Sequence, residues 1–324
     1  MIPSVTAGAI RQPAFIQIHQ QDRQAVRDEL ANGLCARTAT VAPKYFYDPL
    51  GSRLFDAITE LPEYYPTRTE TAILARHAGE IAAAVGRGRT LVDLGAGNCA
   101  KAGRLFGVLK PARYVAVDIS VDYLRQALAC LQREHPQMDM LGVGLDFSAQ
   151  LELPPQAGDG ERVVFYPGSS IGNFTPQQAL RFLRQARSAA QGGSLLIGVD
   201  LVKPKDVLEP AYDDVLGVTA AFNLNVLHHV NALLGSDFDV RDWQHVAFFD
   251  AAQGRIEMHV QARRALTLHW PGGERRFAAG ERIHTENSYK YELDGFEALL
   301  RDAGFTQVRG WTDDRRWFAV FAAA

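Results

Sequence analysis

Cysteine is scarce in this 324-residue sequence, and the three that occur, Cys35, Cys99 and Cys130, have no C-x-x-C spacing. An odd count without metal-ligand spacing argues against a disulfide framework and favours reduced thiols in a cytosol. No apolar run is long enough to span a membrane, and the N-terminus lacks a signal-peptide pattern. The sequence therefore predicts a cytoplasmic protein without a membrane partner.

The chain also lacks an excess of charge of one sign. Its formal net charge is −3, with 22% charged residues and no long basic run, which disfavours nucleic acid as the main partner. No histidine has the H-E-x-x-H spacing of a zinc enzyme, so we expect no metal site. With 47% hydrophobic residues, the chain can form one large domain or two modest ones.

Residues 90–101, with the sequence TLVDLGAGNCAK, carry the first positive signal. Residues 91–94 form a short apolar run that is typical of a buried parallel strand. Gly95 and Gly97 then let the backbone turn sharply and approach a ligand, because neither has a Cβ. The pattern fits the turn that binds a dinucleotide, the turn that binds S-adenosylmethionine (SAM), and a tight strand-to-helix turn without a ligand.

Acidic residues end three successive predicted strands, at Asp93, Asp118 and Asp146. A carboxylate about twenty residues after the glycine turn can hold both hydroxyls of a ribose. Phe147 follows Asp146, and an acid beside an aromatic ring can bind the adenine amino group while the ring covers the base. Three acids in succession favour SAM over NAD, although a nicotinamide-dependent oxidoreductase stays an alternative.

Strand-like and helix-like stretches alternate through the first two thirds of the chain. The predicted helices are 70–85, 121–134 and 176–190, with Ser120 and Thr175 as the N-caps of the last two. The predicted strands are 91–94, 114–118, 142–146, 162–166 and 194–200. This alternation predicts an α/β fold with a parallel sheet, whose ligands lie at the carboxyl ends of the strands.

The alternation stops at residue 203. Residues 203–290 combine a helix-like stretch, 211–234, with strand-like stretches at 255–260 and 266–270, so we predict an inserted α+β domain. A helix over 293–303 and a terminal hairpin of strands 306–311 and 317–321 then complete a Rossmann-like methyltransferase sheet. We assign 69–202 plus 291–324 to a SAM-binding domain, 15–68 plus 203–290 to a substrate-binding domain, and residues 1–15 to a loose arm.

Residues 43–70 are unusually rich in tyrosine and proline. Pro62 and Pro66 favour an extended path on either side of Tyr64 and Tyr65. Each tyrosine packs its ring and needs a partner for its hydroxyl. The block is therefore either the wall of a pocket or a surface loop whose tyrosines merely pack.

Two further polar stretches can meet a substrate. The loop 168–173, GSSIGN, offers backbone N–H groups and the Asn173 amide to a carboxylate or an amine, or it merely caps the next helix. Glu286 and Ser288 share one side if residues 285–290 are extended. They could then bracket a ring that has both an N–H and an acceptor; alternatively, Glu286 pairs with Lys290.

Together, these stretches resemble the histidine Nα-methyltransferases of ergothioneine biosynthesis. The resemblance runs from about residue 40 to the C-terminus, and the tyrosine–proline block is its most specific part. Relatives in that family methylate the amine of a prenylated tryptophan. The matching stretches are 45–70, 93–98 with Lys101, 168–174, 211–214 with 217–223, and 285–288.

The resemblance implies roles for individual residues. The SAM-binding residues would be Gly95, Lys101, Asp118, Asp146 and Phe147. The amino acid's carboxylate and amine would be held by Asn173 and Tyr212 near Gly168 and Ser170, with Tyr47 approaching the amine. The imidazole would contact Tyr64, Glu286, Ser288 and Met258. One departure is the Gly-Ser-Ser start of the 168–173 loop, where many members have Gly-Gly-Thr, so Ser169 could narrow the pocket.

The implied activity is conversion of L-histidine to Nα,Nα,Nα-trimethylhistidine (hercynine), with SAM as the methyl donor. Tyr47, Asn173 and Tyr212 would be the catalytic residues. We expect a monomer that acts on a small molecule. The alternatives are an N-methyltransferase of the same fold acting on another amino acid, such as a tryptophan derivative, and a module that binds SAM or an amino acid without catalysis.

Overall fold

The structure is a computed structural model that describes residues 11–18, 22–148 and 150–324. Residues 1–10 of the predicted arm lie outside this part. The helices are α1 (Arg23–Cys35), α2 (Pro49–Thr59), α3 (Tyr65–Arg76), α4 (Ala78–Val85), α5 (Ala100–Leu109), α6 (Val121–Glu134), α7 (Pro176–Ala189), α8 (Lys205–Leu208), α9 (Val218–Leu234) and α10 (Leu293–Asp302). The strands are β1 (Ala14–Gln17), β2 (Ala39–Thr40), β3 (Thr90–Leu94), β4 (Arg113–Asp118), β5 (Met140–Gly144), β6 (Arg162–Tyr166), β7 (Ser194–Asp200), β8 (Trp243–Asp250), β9 (Arg255–Ala262), β10 (Leu266–Trp270), β11 (Gly273–Phe277), β12 (Arg282–Tyr289), β13 (Val308–Thr312) and β14 (Phe318–Ala323).

Eight strands form one large sheet in the order β1-β5-β4-β3-β6-β7-β14-β13. The first six are parallel, whereas β14 runs antiparallel to β7 and pairs with β13 as a terminal hairpin. Buried apolar side chains cover both faces, which explains why these strands are continuous apolar runs. The prediction of an α/β, Rossmann-like sheet with a terminal hairpin is confirmed.

A second unit contains α1, α2, α9 and two smaller sheets. One sheet has the order β2-β12-β9-β8, and β10 and β11 form a separate antiparallel pair. Apolar residues from two distant parts of the chain, 30–65 and 208–283, share one hydrophobic cluster in this unit. The strand β1 instead pairs with β5 in the large sheet. The division into the two residue sets given above stays a prediction.

Several boundaries differ from the prediction for identifiable reasons. The predicted helix 70–85 is two helices, α3 and α4, because His77 leaves the helical conformation with φ −107° and ψ 15°. The path around Pro66 is helical rather than extended, since proline is tolerated in the first turn, where no N–H is needed. The helix predicted from residue 211 begins only at Val218, after Gly217 in the left-handed conformation.

The two predicted N-caps have different outcomes. Thr175 caps α7 in a capping box with Gln178, as predicted. Ser120 occupies the N-cap position of α6, as predicted, but its hydroxyl makes no capping hydrogen bond and donates instead to the carbonyl oxygen of Tyr47, at 2.8 Å. This contact joins the second unit to the end of β4. Within the described ranges, no helix combines the length and apolarity needed to cross a bilayer.

Gly51 lies inside α2, where a Cβ would overlap the backbone carbonyl of Phe46. We expect Gly51→Ala to lower the free energy of unfolding by about 3 kcal/mol, because backbone cannot move aside as a side chain can. Thermal unfolding measures the change. Gly107→Ala in α5 is the matched control: its Cβ would meet no atom within 4 Å, so it should stabilise by about 0.5–1 kcal/mol. Equal melting temperatures for both variants would contradict the packing argument.

Candidate active site

Two cavities lie at the junction of the large sheet and the second unit. The larger one, the sheet cavity, has a volume of about 400 Å³ and opens at the carboxyl ends of the strands. The predicted residues that line it are Gly95, Asp118, Asp146 and Phe147. The smaller one, the inner cavity, is lined by Tyr47, Tyr64, Gly168, Ser170, Asn173, Tyr212, Met258, Glu286 and Ser288.

Four side chains line both cavities: Tyr47, Phe55, Ser170 and Asn173. They come from the tyrosine–proline block and from the loop after β6, which are far apart in the sequence. A molecule in one cavity would therefore contact the same side chains as a molecule in the other. This arrangement suits the transfer of a group between two bound molecules.

The glycine turn after β3 shapes one end of the sheet cavity. Gly95 and Gly97 have φ values of +68° and +52°, a conformation that side chains with a Cβ rarely adopt. The Asp118 carboxylate accepts hydrogen bonds from the N–H groups of Gly97, at 2.9 Å, and Ser120, at 2.8 Å. Burial raises the pKa of Asp118 despite these bonds. These two hydrogen bonds fix the orientation of the carboxylate. Its oxygens keep further lone pairs that can accept from the two hydroxyls of a diol.

The opposite end of the sheet cavity contains Asp146 and Phe147. The Asp146 carboxylate lies 3.4 Å from the ammonium group of Lys44, which also pairs with Glu29 at 2.9 Å. The Phe147 ring packs edge-on against Tyr166, with 5.8 Å between the ring centroids. An acceptor beside a fixed aromatic ring can hold a flat base that has an exocyclic amine.

Asp93 and Lys101 line neither cavity. The Asp93 carboxylate is buried and accepts a hydrogen bond from the Tyr114 hydroxyl at 2.8 Å, and burial raises its pKa to about 7. The Lys101 ammonium lies 2.6 Å from Glu70, whose other oxygen accepts the N–H of Gly168 at 2.8 Å. Asp93 is therefore packed within the fold, and Lys101 stands behind the 168–173 loop; its predicted contact with SAM stays a prediction.

Glu286 is the buried acid of the inner cavity. It lies on β12 opposite Met258 of β9, at an irregularity in the strand pairing. Burial raises the pKa of Glu286 to about 7, although Lys290 and Asn173 act in the opposite direction. In the orientation that satisfies its neighbours, the Asn173 amide nitrogen donates to Glu286 and to the Asn287 carbonyl, each at 3.1 Å. The Asn173 amide oxygen remains available as an acceptor.

Aromatic rings form much of the inner cavity wall. Tyr64 packs edge-on against Tyr212 and Phe55, with centroid separations of 6.5 and 6.3 Å. Tyr47 contacts Phe55 and Phe222 in the same manner, at 5.8 and 5.9 Å. Burial raises the pKa of Tyr47, Tyr64 and Tyr212 well above 10, so these phenols stay neutral. Neutral rings around a cavity are suited to holding a cation.

These contacts decide between the alternatives that the sequence left open for the tyrosines and for Glu286. Tyr47 and Tyr64 line a cavity, whereas Tyr45 packs near His229 and Tyr65 donates to Asp200. Glu286 does not pair with Lys290, which instead contacts Asp200 at 2.8 Å. Among the described residues, no group of three or more acids, histidines or cysteines could hold a metal ion.

Ser169, which the sequence analysis named as able to narrow the pocket, lines the inner cavity, whereas sequence reasoning missed five other lining residues: Phe55, Ile58, Ala211, Thr219 and Phe222. All are apolar or small, so they carry no chemical signature of their own. Phe55 and Ile58 lie on α2, between Tyr47 and Tyr64 in the sequence, and helical periodicity could have distinguished the buried side of this helix from its exposed side. The others depend on contacts between distant segments.

Known proteins resemble this chain over most of its length. A family model described as histidine-specific, SAM-dependent methyltransferase matches residues 26–324. Two histidine N-alpha-methyltransferases, from Mycolicibacterium smegmatis and Mycobacterium tuberculosis, are 42% and 40% identical over 307 residues, which is 93% of this chain and 95% of each relative. Ergothioneine biosynthesis protein 1 of Neurospora crassa is 32% identical over 277 residues, which is 82% of this chain and 31% of that protein.

Proposed function

Because the chain belongs to the family of histidine-specific, SAM-dependent methyltransferases, we propose that it methylates the α-amine of L-histidine three times. The product is Nα,Nα,Nα-trimethylhistidine (hercynine), and the pathway is ergothioneine biosynthesis. The observation that carries this proposal is the set of side chains, Tyr47, Phe55, Ser170 and Asn173, that line both cavities. A methyl donor in one cavity and an amine in the other would meet there.

The sheet cavity fits SAM in its size and in its polar groups. Asp118 would hold the ribose hydroxyls, and Asp146 with Phe147 would hold the adenine, while Gly95 allows close backbone approach. Lys101 would complete this set from behind the loop. When bound, SAM supplies an electrophilic methyl group on a sulfonium centre.

The inner cavity fits histidine through complementary hydrogen bonds. Glu286 would accept from one ring nitrogen, and Ser288 would donate to the other, with Tyr64 and Met258 against the ring. A site built for a donor and an acceptor rejects rings that lack one of them, because its own polar groups would be left unpaired. An indole has one donor and no acceptor, so tryptophan derivatives should bind poorly.

The α-amine would lie beside the shared wall. The Asn173 amide oxygen can accept from the amine, and Tyr47, Tyr212, Gly168 and Ser170 line the same cavity. Surrounding aromatic faces stabilise the cation that grows with each methylation by about 0.5–2 kcal/mol each. We further propose that the protein works as a cytoplasmic monomer on the free amino acid, without nucleic acid or membrane.

Mass spectrometry of the products tests this function. The protein is incubated with SAM and each common amino acid in turn, and the release of S-adenosylhomocysteine is followed in parallel. We expect histidine to acquire three methyl groups while the other amino acids stay unmodified. Methylation of a different amino acid, or binding of both ligands without release of S-adenosylhomocysteine, would replace the proposal. A fluorescence titration with NAD tests the oxidoreductase alternative and should show no binding.

The pKa of Glu286 makes histidine binding depend on pH. Since burial raises this pKa to about 7, the carboxylate is a charged acceptor above that pH and a neutral acid below it. The imidazole of free histidine gains its proton in nearly the same range. We therefore expect the Kd for histidine to rise about tenfold per pH unit where only one of the two groups is protonated, and about a hundredfold per unit below both pKa values. Calorimetry at several pH values measures this dependence.

The variant Glu286→Gln separates the two titrations. Glutamine keeps the shape of the side chain but cannot ionise, so only the imidazole titration should remain in the binding profile. A profile that is flat for the wild-type protein, or identical in the two proteins, would show that Glu286 does not titrate in contact with the ligand.

A further inference from the structure

A buried cluster of charges lies behind the inner cavity. Lys290, directly after β12, has no exposed side-chain surface. Its ammonium nitrogen lies 2.8 Å from the Asp200 carboxylate, 2.8 Å from the Tyr212 hydroxyl and 2.7 Å from the Ser288 hydroxyl. Tyr212 and Ser288 line the inner cavity, whereas Asp200 and Lys290 do not.

The hydrogen atoms in this cluster can be counted. An ammonium group has three N–H donors and no acceptor, so these three contacts use all the donors of Lys290. Tyr212 and Ser288 therefore both accept from Lys290, and their oxygens also lie 2.7 Å from each other. One of the two hydroxyls must donate to the other. The pair then has one remaining hydroxyl hydrogen, which is free to point into the cavity.

We propose that Lys290 is a positioning residue that makes the Tyr212–Ser288 pair a single hydrogen-bond donor toward the substrate. The inference rests on the proposed function, in which histidine occupies the inner cavity. A single donor beside the Glu286 acceptor matches an imidazole with one N–H and one lone pair. Without the ammonium group, both hydroxyls could rotate and their oxygens could accept from other donors. The pair would then no longer act only as a hydrogen-bond donor toward the substrate.

The electrostatics of the cluster keep the ammonium group in place. Burial alone would raise the pKa of Asp200, but Lys290 and Lys203 outweigh burial and hold that pKa below its ordinary value. Lys203 lies 2.5 Å from the other oxygen of Asp200 and donates to the Tyr65 hydroxyl at 2.8 Å, away from the cavity. The two lysines thus share one carboxylate, and only Lys290 contacts residues of the inner cavity.

This symmetry provides a matched pair of variants. Lys290→Met leaves Asp200 paired with Lys203, and Lys203→Met leaves it paired with Lys290, so neither variant strands a buried carboxylate. Calorimetry then measures binding of histidine and of S-adenosylhomocysteine to each full-length variant. We expect Lys290→Met to raise the Kd for histidine at least about tenfold, while Lys203→Met changes it less than about threefold. Binding of S-adenosylhomocysteine should be unchanged in both.

A double variant tests whether Lys290 acts through the hydroxyl pair. If it does, Lys290→Met should weaken histidine binding much less in a Ser288→Ala background than in the wild-type protein. An unchanged Kd in the single variant, additive losses in the double variant, or an equal loss of S-adenosylhomocysteine binding would overturn the inference. Should Lys290→Met fail to fold, Lys290→Gln is measured by the same criteria. Failure of the wild-type protein to bind histidine would instead refute the proposed function.

Discussion

Glu286→Ala is expected to weaken histidine binding by about 2 kcal/mol or more, which is at least a thirtyfold rise in Kd. The variant removes the only acid among the residues that line the inner cavity, and with it the acceptor for the ring N–H. Calorimetry with S-adenosylhomocysteine present measures this loss at pH 8, where Glu286 is ionised. The fold should tolerate the change, since a carboxyl whose pKa is raised by burial opposes folding in its charged form.

Glu257→Ala is the matched control for this prediction. Glu257 lies on β9 next to Met258 and therefore points to the other face of the same small sheet, where it pairs with Arg255 and His259. Its removal should leave the affinity for histidine within about twofold of wild type, because neither Glu257 nor its ion-pair partners line the two cavities. If Glu286→Ala binds histidine as tightly as Glu257→Ala does, the ring is held elsewhere.

The parts of the fold that could be predicted are those in which local sequence and tertiary packing agree. β3, β4, β6 and β7 are buried on both faces, so an apolar run marks each of them to within one residue at either end. The glycine turn and Asp118 follow from the same pattern because ligands of parallel sheets lie at strand ends. Here sequence periodicity was sufficient.

The second unit was harder to predict because its strands carry polar residues for the cavity. β12 has the sequence RIHTENSY, in which Glu286 and Ser288 occupy positions that an ordinary strand would fill with apolar side chains. β8 is half-buried along nearly its whole length and shows no clean alternation. Polar residues that face the cavity thus interrupt the alternation of apolar and polar residues by which a strand is predicted.

Sequence patterns also could not predict the buried ion pairs. Glu70 and Lys101 form an ion pair although they are 31 positions apart in the sequence, and Asp200 and Lys290 do so although they are 90 positions apart. No local sequence pattern indicates either pair. Charged residues are mostly exposed, so composition alone would place all four at the surface. Only the packing of α3, β7 and β12 around the 168–173 loop shows that these charges support the two cavities.

The last prediction concerns Asn173, which lines both cavities and also donates to Glu286. We expect Asn173→Ala to lower kcat about a hundredfold, because the amine would lose the acceptor that orients its lone pair toward the methyl donor. The affinity for SAM should change less than about threefold, since Asp118, Asp146 and Phe147 remain. Single-turnover kinetics with saturating histidine measures the chemical step, and calorimetry measures SAM binding.

The variant Asn173→Asp tests whether Asn173 acts through the hydrogen bonds of its amide or only through the volume of its side chain. Aspartate has nearly the same shape, yet it replaces the amide donor with a second carboxylate near Glu286, where the amide nitrogen now lies at 3.1 Å. Two adjacent acids cannot both ionise easily, so the pKa of Glu286 should rise further and histidine binding should shift to higher pH. Alanine adds no charge and removes only the amide donor to Glu286, so it should slow the chemical step with a smaller shift. If both variants retain the wild-type kcat, the amine is oriented by other groups, and the wall shared by the two cavities is not where methyl transfer occurs.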